Sequence, residues 1–355
     1  MKILQVIPSL DTGGVQKLLE NLVPLLKKDN EVTVVVYKNS ESAIQKSIEN
    51  SGVNFISLGI SVRSPKAIFK LRRYFKAADV VHLHLFPIHY HGVLANIGIG
   101  KPLIFTEHST YNRRRGYKFL KPLEKLVYSH LTKIVSISKD VEKALKEWIG
   151  LTQDKDKFVV IENGIDLKQF INASVCSPKE VFGKEGYPIL MIGRLTAAKD
   201  FETVIRSLQY IERPDIYLVI AGSGEKEKEL KKLISDLSLE SSVIMLGERE
   251  DVPRLIKASK IGVLSSKWEG FGIAALEMMA GGLPVVASDI EGLRELACNV
   301  GILFEKGNEK DLASKLNHLS RDLDLYRKIA SRCLKKSEDY DIHLTYLKYM
   351  DLYFS

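Results

Sequence analysis

Short, almost wholly apolar runs alternate with amphipathic stretches twice over along this chain, and that alternation restricts its fold more than any other feature. In the first half, residues 3–7, 32–37, 79–85, 102–106, 133–137 and 158–161 read as strands. They are nearly continuous in apolar residues, as strands covered on both faces must be. Between them, Val15, Leu18, Leu19, Leu22, Val23 and Leu26 recur at helical spacing, with Pro24 a local dissonance. Strand–helix alternation of this kind implies a parallel, doubly wound α/β sheet. The second half repeats the scheme with strands at 189–192, 216–221, 243–246, 261–264 and 283–287, and only helical patterns follow residue 305.

A length of 355 residues suits two domains, each with its own core. The boundary is expected near 163–178, where the turn dipeptide Asn163-Gly164 opens an aperiodic polar stretch. The final segment, 340–354, carries Ile342, Tyr346, Leu347, Met350 and Tyr353, which need a partner surface. Cys176, Cys298 and Cys333 form no Cys-x-x-Cys pair and have no histidine at metal-ligand spacing, which argues against disulfides and structural zinc. No apolar run approaches the roughly 20 residues of a membrane span. The opening apolar run stops at Pro8, too short for a signal peptide. A reducing cytoplasm is the expected address.

The net charge of +8 is uneven. Residues 1–165 hold 25 Lys/Arg against 15 Asp/Glu, and residues 166–355 hold 27 against 29. Within the basic half, cations cluster at Arg63, Lys66, Lys70, Arg72, Arg73 and Lys76, and again at Arg113, Arg114, Arg115, Lys118, Lys121 and Lys125. A solvated helix face would explain such runs. Interleaved Leu71, Tyr74, Phe75, Tyr117, Phe119 and Leu120 also suit contact with anionic lipid headgroups, with Arg72, Arg73, Arg113, Arg114 and Arg115 facing the membrane. Nucleic acid is disfavoured, because no helix-turn-helix, RRM or zinc-finger pattern is present.

In doubly wound sheets ligands gather at the carboxyl ends of the strands, so two such lobes imply a cleft lined by the loops there. After the first strand, Gly13 and Gly14 allow backbone N–H groups to approach an anion at a helix start, although a tight turn alone would use the same residues. The run Phe105-Thr106-Glu107-His108-Ser109 ends a buried strand with polar side chains, His108 among them; a satisfied core histidine is the competing explanation. His82 and His84 alternate along a strand and are read as packing residues. Gly193-Arg194-Leu195-Thr196-Ala197-Ala198-Lys199 places two cations five residues apart on one loop, a pairing suited to a diphosphate.

The most specific signal is Trp268-Glu269-Gly270-Phe271-Gly272-Ile273-Ala274-Ala275-Leu276-Glu277. Its glycines permit a sharp turn, and the helix starting there aims unpaired N–H groups at a ligand. Glu269 precedes the turn and Glu277 lies one to two turns into the helix. The two carboxylates can therefore hold different hydroxyl pairs by charge-assisted hydrogen bonds.

The whole arrangement resembles the retaining glycosyltransferases of family 4, which have the GT-B fold. Carried by the resemblance are Gly13-Gly14, Thr106-Glu107-His108, Ile137-Ser138, Ile161-Glu162-Asn163-Gly164-Ile165-Asp166, Gly193-Arg194-Leu195 with Lys199, Ala221-Gly222-Ser223-Gly224, and the frame from Glu269 to Glu277. The resemblance implies two Rossmann-like domains: residues 1–165 with 338–355 for the acceptor, and 166–337 for the nucleotide sugar. It gives His108, Arg194, Lys199 and Glu269 catalytic roles. Donor contacts would come from Gly14, Gly193, Arg249, Gly270, Phe271, Gly272, Ile273 and Glu277. Arg194 and Lys199 would neutralise the diphosphate, Glu277 would bind the ribose, and Glu269 and His108 would hold the transferred sugar. One departure is Asp200, where the family commonly has glycine.

Cleaving a sugar–phosphate bond builds charge on the departing diphosphate, which preorganised cations and amides can stabilise without a metal. No Asp-x-Asp pair follows one of the expected strands, the place suited to Mg²⁺, and no cofactor is expected. The expected reaction is transfer from a nucleotide-diphosphate sugar, UDP-linked by preference, to a glycan or lipid-linked acceptor in envelope polysaccharide synthesis. It would take place at the inner face of the plasma membrane. A non-hydrolysing sugar-nucleotide epimerase of the same fold and a catalytically silent binding module are the alternatives.

Overall fold

The computed structural model describes residues 1–150 and 155–355. They form two compact units, Met1–Gly164 with Ile342–Ser355, and Ile165–Asp341. The chain returns to the first unit at Ile342, four residues later than the expected 338.

The first unit is built on seven strands: β1 (Lys2–Ile7), β2 (Glu31–Val36), β3 (Asn54–Ser57), β4 (Val80–His84), β5 (Leu103–Glu107), β6 (Lys133–Ser136) and β7 (Phe158–Val160). All pair in parallel, in the order β3-β2-β1-β4-β5-β6-β7. Alternate residues face opposite layers, and both layers are closed. Leu4, Val6, Val81, Leu83, Leu103 and Phe105 pack with Leu71, Phe75, Val127 and Leu145 from the helices of one side. Ile3, Ile7, Val80 and Ile104 pack with Leu18, Leu19 and Leu22 on the other.

Helix Ile342–Phe354 also covers this second face. It buries Ile342, Tyr349, Leu352 and Tyr353 there, each contributing roughly 1.5–3 kcal/mol by removal of apolar surface from water. Leu347, expected to need a partner, is instead 55% exposed.

The second unit has six strands: β8 (Tyr187–Ile192), β9 (Ile216–Ala221), β10 (Val243–Gly247), β11 (Ile261–Leu264), β12 (Val285–Ser288) and β13 (Ile302–Phe304). They are again all parallel, ordered β10-β9-β8-β11-β12-β13. Strands β3 and β13 lie outside the runs that read as strands from sequence. Both are edge strands: β3 has polar residues at both ends, and β13 is an apolar run of only three residues, too short to mark a strand.

Strand order reverses between β1 and β4 in the first sheet and between β8 and β11 in the second, and such switch points are where open α/β sheets bind ligands. In the second unit, the loops leaving β8 and β9 lie backbone against backbone. Gly193 N donates to Ala221 O at 3.0 Å, and Leu195 N to Ser223 O at 2.9 Å. A Cβ on Gly222 would stand 2.0 Å from Gly193 O, so only glycine permits this approach.

Candidate active site

The loop from Gly193 to Asp200 leaves β8 at the switch point and is fixed at several places. Leu195 is fully buried, its carbonyl accepts from Lys226 N at 3.0 Å, and Ala198 O accepts from Lys267 N at 2.8 Å. Arg194, on the opposite side of the chain from Leu195, is exposed. The loop closes in a 3₁₀ turn, Ala197–Lys199, that ends at Asp200 with φ 45° and ψ 47°.

That left-handed conformation explains the departure at Asp200. Glycine adopts it without strain, and aspartate is among the few other residues that do. Asp200 also accepts from Thr203 Oγ1 at 2.7 Å and pairs with Lys267 at 3.6 Å, bonds a glycine would not make. The cation before it stays in place.

Lys199 packs its stem over Gly193 and donates its Nζ to Glu269 Oε2. Both side chains are about one-fifth exposed, at 21% and 18%. The second oxygen of Glu269 accepts from Gly270 N at 3.2 Å, which turns the carboxylate along the loop after β11. A cation from one side of the switch point and an anion from the other are thus joined.

Phe271 is buried, its ring 5.3 Å from Tyr340 in an edge-on contact. Its side chain anchors the loop and leaves its backbone for other work. Gly272, at φ 91°, then starts helix Ile273–Ala280, which has no side-chain cap. Uncapped first-turn N–H groups carry a partial positive charge and favour an anion. Glu277 is buried in the next turn of this helix. Lys199, Glu269, the Gly270–Ile273 backbone and Glu277 therefore sit on the two loops that flank the switch and on the helix that follows the second of them. They can grip a doubly charged phosphate group and hydroxyls together.

Arg249 follows β10 and forms a bidentate pair with Asp251, at 2.7 Å for each nitrogen. The pair orients the guanidinium, which is half-buried. In the first unit, Gly13 caps and Gly14 opens helix Gly14–Leu26, which also lacks a side-chain cap. His108 follows β5 directly. Burial pushes its pKa down to about 3, and its Nδ1 is buried without a protein partner. Glu107 beside it accepts from Tyr128 at 3.1 Å and pairs with Arg115 at 3.5 Å.

The five arginines expected to face a membrane divide. Arg73 is exposed. Arg72 donates to Ala95 O and Ile97 O, at 2.9 and 2.7 Å, and so satisfies carbonyls at the end of helix Ile88–Asn96. Arg114 is turned inward, 2.5 Å from the buried Glu124 and 4.0 Å above the Phe86 ring. Arg115 is likewise only 14% exposed. The Arg113 side chain lies outside the described structure. The inward turn has a physical cause: Glu107 and Glu124 are buried carboxylates, which draw cations from the cluster to neutralise them.

The exposed character of this region is apolar as well as basic. Phe119, Leu123 and Leu126 stand out beside Lys118, Lys121 and Lys125 on helix Lys121–Ser129 and the turn before it. No described helix is long and apolar enough to cross a membrane. His82 and His84, expected to pack, join Gln5 and Tyr353 in one buried hydrogen-bonded group; Tyr353 is expected from sequence to find a partner surface, whereas Gln5 carries no expectation. The available signal was polar residues at alternating positions inside apolar strands.

Residues 177–336 match the family described as Glycosyl transferases group 1, and residues 12–169 match that described as Glycosyltransferase Family 4. The UDP-Gal:alpha-D-GlcNAc-diphosphoundecaprenol alpha-1,3-galactosyltransferase of Escherichia coli is 32% identical over 287 residues, covering 76% of this chain and 72% of that protein. An N-acetylgalactosaminyltransferase of Campylobacter jejuni, named for a diphospho-undecaprenol-linked acceptor, is 24% identical over 94% of each chain. Among solved structures, Anabaena HepE with UDP and glucose superimposes with a TM-score of 0.88 over 99% of both chains, at 20% identity, and shares the fold.

Proposed function

The chain belongs to the glycosyltransferases of group 1 and family 4, and on that premise we propose that it transfers a hexose from a UDP-sugar to a lipid-linked glycan with retention of configuration. The observation that carries this reading is the Lys199–Glu269 pair beside the uncapped start of helix Ile273–Ala280. When a nucleotide sugar binds, its diphosphate would take Lys199, Arg194 and the amides of Phe271, Gly272 and Ile273. Glu269 would turn to the sugar hydroxyls and Glu277 to the ribose. His108 would accept a hydroxyl of the transferred sugar.

As the bond from C1 to the phosphate oxygen breaks, the electron pair leaves with the diphosphate. The acceptor oxygen bonds C1 on the same face, and its proton passes to the departing phosphate. Fixed cations and backbone dipoles at the leaving group supply the stabilisation, typically the largest single contribution in such sites. On this reading the protein's own charges do what a metal would do elsewhere. UDP is favoured because the Escherichia coli relative is named for UDP-galactose.

The acceptor side of the reading rests on relatives named for undecaprenol-linked substrates and on exposed Phe119, Leu123 and Leu126 among lysines. Such a surface can enter an anionic headgroup layer from the cytoplasmic side. Thermal shifts with UDP, GDP and ADP come first, then transfer of labelled hexoses to polyprenyl-diphosphate-linked glycans. No stabilisation by any of the three, together with no transfer, would end the proposal. Interconversion of a donor incubated alone would point to an epimerase instead.

A further inference from the structure

Most of the sheet face beneath helix Ile342–Phe354 is apolar, yet Gln5, His82, His84 and Thr106 stand on it, each fully buried. A buried polar group left unpaired costs about 1–3 kcal/mol, so the hydrogens among these residues should be placed to satisfy one another. Tyr353, from the last helix, fixes the starting point. Gln5 Nε2 donates to its hydroxyl oxygen at 3.0 Å. The tyrosine then donates its own hydrogen to His82 Nδ1 at 2.6 Å, and His82 Nε2 donates to Thr106 Oγ1 at 2.6 Å.

The other end of Gln5 controls a second branch. Its Oε1 can only accept, so His84 Nε2, 2.8 Å away, carries a hydrogen. Burial holds His84 neutral, leaving its Nδ1 a bare lone pair. His108 Nε2 lies 3.5 Å from that lone pair, with the rings 5.8 Å apart, and supplies the hydrogen across a long contact. The remaining nitrogen, His108 Nδ1, is then a bare acceptor as well. It is the buried atom without a protein partner, and an orphaned acceptor is tolerated better than an orphaned N–H.

We propose that Gln5, acting through His84, sets the tautomer of His108 so that Nδ1 presents a lone pair to a hydroxyl of the carbohydrate ligand. Gln5 and His84 are thus positioning residues, a role that rests on reading His108 as the carbohydrate contact. The relay rejects a sugar that offers no hydroxyl at this point, because the lone pair then stays unpaired.

Two-bond proton–nitrogen correlation spectra of the full chain, labelled in histidine, test this directly. His108→Gln identifies the resonances. Nε2 protonated and Nδ1 bare is the expected pattern; Nδ1 protonated in the unmodified protein would overturn the proposal before any variant is made. In Gln5→Met the two His108 tautomers should become mixed, and kcat/KM should fall about tenfold, the scale of one hydrogen bond. An unchanged tautomer in a folded Gln5→Met protein would also overturn it. His84→Phe removes the same link independently and should mix the tautomers in the same way. The expected spectra without turnover on any donor would retain the relay and remove the functional reading, whereas turnover with the opposite tautomer would remove the relay alone.

Discussion

Lys199 and Glu269 lie seventy positions apart in sequence and meet through a hydrogen bond from Nζ to Oε2. The cation proposed to hold a diphosphate is therefore neutralised by a carboxylate until a ligand replaces it. Lys199→Ala should lower turnover about 10²–10³-fold, as for other lost transition-state donors, and weaken UDP binding. Glu269→Gln should abolish most transfer yet bind UDP at least as tightly, since a competing anion is gone. Calorimetry with UDP alongside steady-state assays separates the two effects; weaker UDP binding in Glu269→Gln would contradict them.

Asp200 tests a different quantity, backbone strain. Asp200→Ala keeps the left-handed turn but should lose about 1–2 kcal/mol, the usual penalty of that conformation for a residue with a Cβ and no local bond. Asp200→Gly should recover part of the loss. Denaturant melts of the two variants suffice, and equal stability of Ala and Gly would refute the strain argument.

Much of the fold can be read in the sequence because central parallel strands are apolar on both faces. Each central strand, from Ile3 to Val286, lies in such a run. The edge strand Asn54–Ser57 has polar residues at both ends, and Ile302–Phe304 is an apolar run of only three residues, so neither stands out. The placement of Lys199 and Glu269 on one switch point follows from strand order, and glycines mark both loops. The inward turn of Arg114 and Arg115 could not be read, because a run of three arginines does not reveal that Glu107 and Glu124 are buried nearby. The relay from Gln5 needs contacts between residues up to 348 positions apart.

Arg114→Ala follows from that inward turn. It leaves Glu124, 1% exposed, without its cation, and removing one partner of a buried pair costs about 3–5 kcal/mol. Phe119→Ser with Leu123→Ser and Leu126→Ser should instead leave stability within about 0.5 kcal/mol, as surface changes usually do. The triple variant should nevertheless pellet less with anionic vesicles. Equal pelleting would detach this surface from lipid.

Acid should unfold the first unit before the second. Burial lowers His82 and His108 to about 3, and His84 and His89 well below their ordinary 6.5. Unfolded, each takes a proton near 6.5; folded, they stay neutral far below it. The unfolded chain binds more protons between those limits, so stability is full above 6.5 and falls as pH drops through it. Trp148 and Trp268 are the two tryptophans, one in each unit, so Trp268→Phe and Trp148→Phe report the units separately. A first-unit transition independent of pH from 7.5 to 4.5 would contradict the burial of these imidazoles.

Because Tyr349, Leu352 and Tyr353 close one face of the sheet that holds Lys2–Ile7, that strand waits for a helix made after the whole second unit before its layer is sealed. During synthesis the ribosome must therefore deliver the whole intervening unit while that face is still open to water. A chain interrupted before Ile342 would keep its complete second unit and expose a broad apolar sheet on the first, a natural target for chaperones and proteases.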